Sequence, residues 1–508
     1  MAVPGFQNLF PTSGDVSAAD LADARRWLTL NGIGTQMMET LTWGALLTAF
    51  ALSLGASNAF IGLLAAAPHL ANLGQLVGVS LVERVRRRRL IAVVAGCVGR
   101  PLLLCLCVAA YLPDQNLALG LILIAILARY FMGAIMGVAW NSWIRDLIPD
   151  GTRGTFFGRR VRWMTAIGMV VVLTAGVLID HWPSLGLGDV RNGYAALFVC
   201  AVIFGLGSIA ALARVKEPPM APPAGPVALT AMLRQPFRDT NFRNLMFFLA
   251  AWNFAINLAA PFFTVHMYER LELSVFTVTA LASTSLVANI LVLSTVGTLV
   301  DRFSGKSVLA VSAPLFLVCI FAWVFTARPE SETLQLALLA VIHVCTGIAT
   351  AGVTIASTTI AMRLAPVKDT TAFLTANGLM ASAAAGIAPI IGGLTADALA
   401  DKKLSLIVHW ETAQRDLALE TLKVEHWDFF FVMAAVIGLY SLHRLTMVRE
   451  DGSVSERVVL TEFMAETKRT IQNISTVAGL RALTEWPFAI VQRRVLRRRG
   501  RGKGDKPG

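Results

Sequence analysis

Long apolar stretches separated by short polar segments run through most of the sequence. A helix of about 20 apolar residues is long enough to cross the hydrocarbon core of a bilayer. The pattern predicts twelve such helices, which we call spans 1 to 12. Spans 1 to 6 cover residues 30–54, 58–82, 90–112, 117–143, 161–181 and 194–213. Spans 7 to 12 cover residues 245–268, 275–300, 307–327, 334–362, 371–399 and 428–446. We therefore predict an all-α integral membrane protein.

The polar segments divide these spans into two sets of six. A proline-rich connector at 214–244 separates an N-terminal half at 27–213 from a C-terminal half at 245–446. Residues 1–26 precede the first half, and a basic tail at 447–508 follows the second. Two six-helix halves joined by a long linker predict a pseudo-two-fold repeat.

The composition agrees with a membrane protein. Only 15% of the 508 residues are charged and 56% are hydrophobic, whereas about a quarter of the residues in a soluble domain are charged. The N-terminal segment has no basic stretch followed by an apolar one, so we expect no cleaved signal peptide. All six cysteines fall inside spans, at no metal-ligand or disulfide spacing, and we interpret them as small buried hydrophobic residues.

The positive charges cluster on one side of the predicted spans. The net charge is +12, and arginines concentrate at 84–89, at 153–162 and at the end of the tail. The first two clusters follow even-numbered spans, and basic loops remain on the cytoplasmic side of a membrane. We therefore expect both termini in the cytoplasm and the protein in the inner or plasma membrane. Because the clusters adjoin spans, they indicate topology rather than nucleic-acid binding.

Two polar regions have amphipathic patterns. In the predicted external loop 400–427, apolar residues suggest a short amphipathic helix: Leu404, Ile407, Trp410, Leu417 and Leu422. In the tail, apolar residues recur at helical spacing between Val459 and Leu480, and an arginine cluster follows. The tail pattern predicts an interfacial helix with a basic patch on anionic lipid. Binding of a soluble partner is the alternative.

Short motifs repeat between the two halves. The loop after span 8, "GTLVDRFSGKS", contains Gly297, Asp301, Arg302, Gly305 and Lys306. The loop after span 2 has Glu83-Arg84 at the matching place but lacks the glycines. This pattern resembles the signature loop of the major facilitator superfamily, G-x-x-x-D-R-x-x-G-K/R. The resemblance covers about 27–446 and implies a twelve-helix fold that works by alternating access.

One departure from the family bears on the solute. Drug-efflux members usually carry a glycine- and proline-rich motif in span 5, whereas span 5 here contains no proline. A related sequence, "GIAPIIGG", lies at 386–393 in span 11 instead. This difference disfavours drug:proton antiport and leaves it open. The resemblance itself does not specify a solute.

Polar residues fall on the spans that the resemblance places around a central cavity. Glu39 lies in span 1, Arg129 in span 4 and His343 in span 10, while Asn253 and Asn257 lie in span 7. Charges at membrane depth are costly and generally mark a pathway or a pair. These residues are therefore our candidates for binding a solute or a coupling proton; the two asparagines could also satisfy one another.

Glu39 is the centre of the predicted mechanism. It shares one helical face with Gln36 and Trp43. A carboxyl group there can alternate between protonated and charged forms as access switches, which couples a proton gradient to solute movement. Arg129 could instead bind an anionic group or displace the proton. The alternative is a static Glu39–Arg129 ion pair that holds spans 1 and 4 together.

Other polar residues have two interpretations each. His69 in span 2 could relay protons or form a helix-packing hydrogen bond. Arg100 in span 3 is expected to pair with a neighbouring helix. By analogy with the family, the loops after spans 2, 4 and 8 would form ion pairs that latch an outward-open state, or would only set orientation. The residues concerned are Glu83, Arg84, Asp146, Arg153, Asp301 and Arg302.

Together these features predict a secondary active transporter for a small solute, coupled to protons by symport or antiport. The sequence has no P-loop, catalytic triad or metal-ligand cluster, so we expect no enzyme and no cofactor beyond an ion gradient. A lipid or amphiphile translocator of the same fold is one alternative. A non-transporting scaffold or assembly factor that acts through its basic tail is another. We expect a monomer.

Overall fold

The computed structural model describes residues 17–220, 229–412, 415–452 and 454–474. The N-terminal half contains α1 (Ala18–Thr42), α2 (Ala45–Ser53), α3 (Asn58–Leu70), α4 (Gly74–Val85), α5 (Arg88–Gly99), α6 (Leu104–Ala109), α7 (Gln115–Leu147), α8 (Asp150–His181) and α9 (Val190–Leu212). The linker contains α10 (Leu229–Arg238). The C-terminal half contains α11 (Thr240–Glu269), α12 (Val275–Arg302), α13 (Gly305–Ala322), α14 (Glu332–Leu364), α15 (Thr370–Leu399) and α16 (Trp427–Thr446). The tail contains α17 (Glu456–Ile474).

Capping side chains define where several helices begin. Asp114, Asp189, Asp239 and Ser274 accept hydrogen bonds from first-turn amides of α7, α9, α11 and α12 respectively. These amides have no partner inside the helix, so a side-chain acceptor stabilises the first turn. Beyond the first turn the apolar sequence continues as helix, which satisfies the backbone hydrogen bonds within the segment itself, as the bilayer requires.

Within the described residues, eleven helical segments are long and apolar enough to cross a membrane. They correspond to spans 2 to 12. Span 1 is built from two shorter helices, since α1 ends at Thr42 and α2 begins at Ala45. Between them Gly44 has φ +64°, a left-handed conformation that glycine adopts without a steric penalty. The predicted all-α membrane fold is confirmed.

The bundle has two ends that differ in charge. We call the end with the arginines at 84–89 and 153–162 the basic end, and the other the opposite end. Short 3₁₀ turns at Ala71–Leu73 and Pro101–Leu103 interrupt spans 2 and 3 between these ends. As a result α3 forms the part of span 2 near the opposite end, and α4 forms the part near the basic end.

The two halves pack together in the region of the opposite end. There α3 lies against α15, α8 against α12, and α2 against α11 and α12, whereas α4 packs on α7 of its own half. Two glycines allow the backbones to touch: a Cβ on Gly62 would clash with the Pro389 carbonyl oxygen. A Cβ on Gly393 would clash with the Asn58 carbonyl oxygen. The motif at 386–393 therefore serves contact between the halves.

The prediction of a helix in the loop 400–427 was wrong. The segment forms an antiparallel hairpin of β1 (Lys403–Thr412) and β2 (Arg415–Glu425) at the opposite end. Leu404 pairs with Val424, and the register shifts between Leu406 and Ile407. The apolar residues of β1 also recur at every second position, which is the period of a strand, and pairing with β2 selects that period.

The tail begins with a helix that packs on the C-terminal half. Helix α17 contacts α12 and α13, and Val459 is buried in this contact. The Arg302 side chain forms an ion pair with Glu462. Residues 475–508, with the predicted basic patch, lie outside the described residues.

Candidate functional site

Glu39 and Arg129 form an ion pair between α1 and α7. The Arg129 side chain is 7% exposed and that of Glu39 is 33% exposed. The hydroxyl of Tyr130 lies 3.4 Å from Glu39 Oε2, and the Arg129 guanidinium lies 4.2 Å from the centre of the Tyr130 ring. Sequence reasoning missed Tyr130, although its position next to an arginine inside a span was a usable signal.

A cavity of about 510 Å³ surrounds this pair and lies within the N-terminal half. It extends from Glu39 towards the basic end, where Trp140 and Arg160 line it. Asn72 and Gln75 of span 2 also face the cavity and hydrogen bond each other. The walls thus combine one carboxylate, several arginines, amides and aromatic rings, a set that can bind a polar solute.

Arg100 lines the same cavity but is bound to neighbouring helices. Its guanidinium donates to the Gly205 carbonyl oxygen and the Ser208 hydroxyl of α9, and to Thr35 Oγ1 of α1 at 3.2 Å. Asn31 Nδ2 also donates to the Ser208 carbonyl oxygen, at 3.0 Å. Arg100 therefore joins α1, α5 and α9 through neutral oxygens, as the sequence led us to expect.

A second cavity of about 400 Å³ lies between the two halves. Trp43, His69 and Asn257 line it, together with residues of α2, α3 and α11. Pro68 lines both cavities, so the two adjoin. The Trp43 ring meets the Tyr130 ring edge-on, with centroids 5.2 Å apart. This aromatic pair stands between the ion pair and the second cavity.

Three candidate residues line neither cavity in the described part of the chain. Gln36 donates to Thr40 Oγ1 of its own helix at 3.2 Å. The side-chain amide of Asn253 donates to its own helix, to Leu249 O at 2.7 Å. The buried His343 has Nδ1 2.8 Å from Leu339 O, and its ring packs against Trp323 of the C-terminal half. Each is hydrogen bonded to a residue four positions away in its own helix, and their part in transport stays a prediction.

Carboxylates at the opposite end join the two halves. In the last turn of α8, Asp180 accepts hydrogen bonds from the amides of Val275 and Phe276 at the start of α12, at 2.9 and 2.8 Å. In the last turn of α15, Asp397 accepts from the amides of Asn58 and Ala59 at the start of α3, at 3.0 and 2.8 Å. We call Asp180 and Asp397 the inter-half caps. Sequence reasoning missed them, although they occupy matching places in spans 5 and 11.

Carboxylates at the basic end make a similar contact inside each half. Glu217 accepts from the backbone amides of Arg88 and Arg89 at the start of α5, at 2.7 and 3.1 Å. Glu450 accepts from the amides of Gly305 and Lys306 at the start of α13, at 3.3 and 2.7 Å. We call Glu217 and Glu450 the intra-half caps. Each follows the last span of its half, so the pair repeats with the fold.

Comparison with known proteins supplies the family. The model of the Major Facilitator Superfamily matches residues 28–389, and a second match covers 244–462. The chain belongs to the Major Facilitator Superfamily. It is therefore a multi-pass membrane protein of a transporter family. Comparison with curated protein sequences gives no significant match.

Solved major facilitator structures share the fold. A mutant of the nucleoside transporter NupG has a TM-score of 0.64 at 12% identity, covering 84% of this chain and 100% of its own. A bacterial homologue of the human lysosomal transporter Spinster, inward-facing and unoccupied, has 0.54 at 16%, covering 92% and 100%. An inward-facing bacterial homologue of the iron transporter ferroportin has 0.58 at 11%, covering 85% and 100%. At these identities the likeness concerns the fold alone.

In this major facilitator protein, ion pairs of the loops after spans 2, 4 and 8 lie on one side of the boundary between the halves. Arg88 pairs with Asp146 and, at 3.2 Å, with Glu217, and Arg153 pairs with Asp150 at 2.6 Å. In the second half, Asp301 Oδ1 lies 3.9 Å from Arg363, and Lys306 Nζ donates to Val448 O at 2.7 Å. Glu83 and Arg84 are exposed. None of these pairs bridges the halves, so their predicted role as a latch of the outward-open state remains a prediction.

Proposed function

We propose that this major facilitator protein is a secondary active transporter that couples movement of a small solute to protons through Glu39. The observation that carries the proposal is the Glu39–Arg129 pair on the wall of a cavity inside a transporter fold. A carboxylate at this depth is costly unless it is paired or functional. Here it is paired, and it is also accessible enough to exchange a proton.

The exposure of the two partners supports proton exchange at Glu39. Arg129 is nearly inaccessible, whereas a third of the Glu39 side chain faces the cavity. A solute group that binds Arg129 would take the place of Glu39, and the released carboxyl group would bind a proton. The reverse exchange would follow when the solute leaves. This cycle links one solute to one proton without another cofactor.

The arrangement of the halves supports an alternating-access cycle. They are held together by the inter-half caps at the opposite end, while the first cavity extends towards the basic end. We assign the basic end to the cytoplasm because of its arginine clusters, so this conformation faces inward. The second cavity, between the halves, lies on the route that would open when the inter-half caps break.

The experiment that tests the proposal is a solute screen in energised membrane vesicles that contain the protein. Accumulation of a transported solute against its gradient should collapse when a proton ionophore is added. Glu39→Gln should reduce accumulation at least tenfold, while solute exchange at equal concentrations on the two sides continues. Exchange needs solute binding and the change of access between the two sides, but no net proton movement.

A matched control separates proton coupling from loss of charge. Glu332→Gln removes an exposed carboxylate at the start of α14, and accumulation should be unchanged. If uphill transport survives both the ionophore and Glu39→Gln, Glu39 is a static partner of Arg129 and proton coupling is wrong. If no solute is moved by any preparation, the transport proposal itself fails.

A further inference from the structure

A separate groove of about 660 Å³ lies on the outer surface of the N-terminal half at the basic end. It runs between the first turns of α1 and the first turns of α8. Its polar lining includes Arg25, Arg26, Thr29, Thr152 and Arg159. The groove is distinct from the first cavity, because Arg160 turns to that cavity and donates from Nε to Leu28 O at 3.0 Å.

Positive charge is concentrated in the groove. Three arginines line it, and its lining, all in the described part of the chain, contains no acidic residue. Arg25 donates from Nη2 to Thr152 Oγ1 at 2.7 Å, while its Nε is buried without a partner among the described residues. The described residues supply no ion-pair partner for Arg26 or Arg159. Guanidinium groups are suited to binding phosphate oxygens.

The part of the groove further from the basic end is apolar and faces outward. Leu30 and Trp163 each lie one helical turn after an arginine of the groove, nearer the middle of the span. Leu30 is 42% exposed and Trp163 is 51% exposed. Tryptophan is enriched where a membrane meets water, at the level of the headgroups. The groove therefore continues from an arginine-lined part to an exposed apolar surface.

We propose that this groove binds the headgroup of an anionic phospholipid from the leaflet at the basic end. The arginines contact the phosphate, and the acyl chains lie along Leu30 and Trp163. Basic pockets beside transmembrane helices on the cytoplasmic side bind anionic headgroups for the same physical reason. The site holds α1 and α8 through the lipid, and it does not depend on which solute the protein moves.

Photo-cross-linking of the full-length protein in lipid nanodiscs tests the site. The probe is phosphatidylglycerol with a photoreactive group near its phosphate, and a phosphatidylcholine analogue is the neutral comparison. Mass spectrometry should locate phosphatidylglycerol cross-links on residues 22–30 and 152–163, with several-fold lower yield for phosphatidylcholine. The variant R25Q/R26Q/R159Q should reduce the phosphatidylglycerol cross-links on these segments by roughly tenfold or more.

Two further variants keep the test decisive. R26Q/R159Q leaves the Arg25–Thr152 hydrogen bond intact and should still lower the yield, so loss of that hydrogen bond cannot explain the result. R234Q/R238Q/R243Q removes three positive charges, as the triple groove variant does, but from α10 and the start of α11. The cross-linking yield on the groove segments should not change. Equal cross-linking of both lipids, or an equal loss in the control, overturns the proposal. Displacement by millimolar inorganic phosphate also overturns it, because the groove then binds free phosphate.

Discussion

The two ends of the molecule use the same contact for different purposes. At the basic end, Glu217 and Glu450 cap the third span of their own half. At the opposite end, Asp180 and Asp397 cap a helix of the other half. In each pair the two carboxylates occupy corresponding places in the repeat. One kind of bond therefore holds each half together and also joins the halves.

Burial differs between the two pairs in the way that these roles require. The side chains of Glu217 and Glu450 are 1% and 4% exposed, whereas Asp180 and Asp397 are half-buried. Breaking a buried charged contact is costly because the groups left behind are desolvated. A half-buried carboxylate can exchange its amide partners for water at a smaller cost. The intra-half caps are suited to persist, and the inter-half caps to open.

Removing an intra-half cap should have the largest effect. Glu217→Gln leaves the fully buried Arg88 with Asp146 as its carboxylate partner, and we expect the free energy of unfolding to fall by about 2–4 kcal/mol. The thermal unfolding midpoint of the purified protein in detergent measures this. The side of the membrane from which the cavities are accessible should not change. A shift in access with no loss of stability would refute the division of roles.

Removing both inter-half caps should shift the conformation rather than unfold the protein. Asp180→Asn/Asp397→Asn weakens four amide contacts, at about 1–2 kcal/mol for each carboxylate, enough to populate the open form at the opposite end tenfold or more. Labelling of a cysteine at Thr48, which lines the second cavity, by an impermeant maleimide from that side measures access. The background must lack the six native cysteines.

The control for this prediction is another aspartate at the same end. Asp189 caps α9 within its own half, accepting from the Arg191 amide at 2.8 Å. Asp189→Asn should leave labelling at position 48 unchanged. If it raises labelling as much as the double variant does, the effect comes from lost negative charge at this end and the inter-half caps have no special role.

Substitution of close-packed glycines should separate the two kinds of contact with a smaller effect. A Cβ at Gly393 would meet backbone of α3, in the other half, and one at Gly352 would meet Ser312 of the same half. Overpacking costs about 1–3 kcal/mol. Gly393→Ala should raise maleimide labelling from the opposite end, whereas Gly352→Ala should lower only the unfolding midpoint. Identical behaviour of the two variants would contradict this assignment.

Much of the fold follows from the sequence because a helix that spans a membrane must be apolar over about 20 residues. Apolar stretches of sufficient length define the spans, and the paired loops indicate the repeat. The break at Gly44 and the hairpin at Lys403–Glu425 were not predicted. The first depends on one backbone conformation, and the second depends on a pairing partner that a single helical pattern cannot reveal.

The site was predictable only where a charge has no other explanation. Glu39 and Arg129 could be found because charges inside apolar helices are rare. Asp180 and Asp397 lie at span ends, where acidic residues are ordinary, so their contacts between halves appear only in three dimensions. His343 satisfied the same sequence criterion as Glu39, yet its helix turns it towards Trp323 and the core of its own half.

The smallest effect is expected from shortening the tail, and the structure determines where to cut. A truncation at 449 would remove Glu450 and Glu462, which contact α13 and Arg302, so it would damage the C-terminal half whatever the tail does. A truncation after Ile474 keeps α17 and these contacts, and we expect solute accumulation within about twofold of the full chain, because no intra-half cap is lost. Vesicle transport assays measure this. If accumulation persists but a cellular role is lost, the tail serves a partner or lipid; if accumulation is lost, residues 475–508 take part in transport itself.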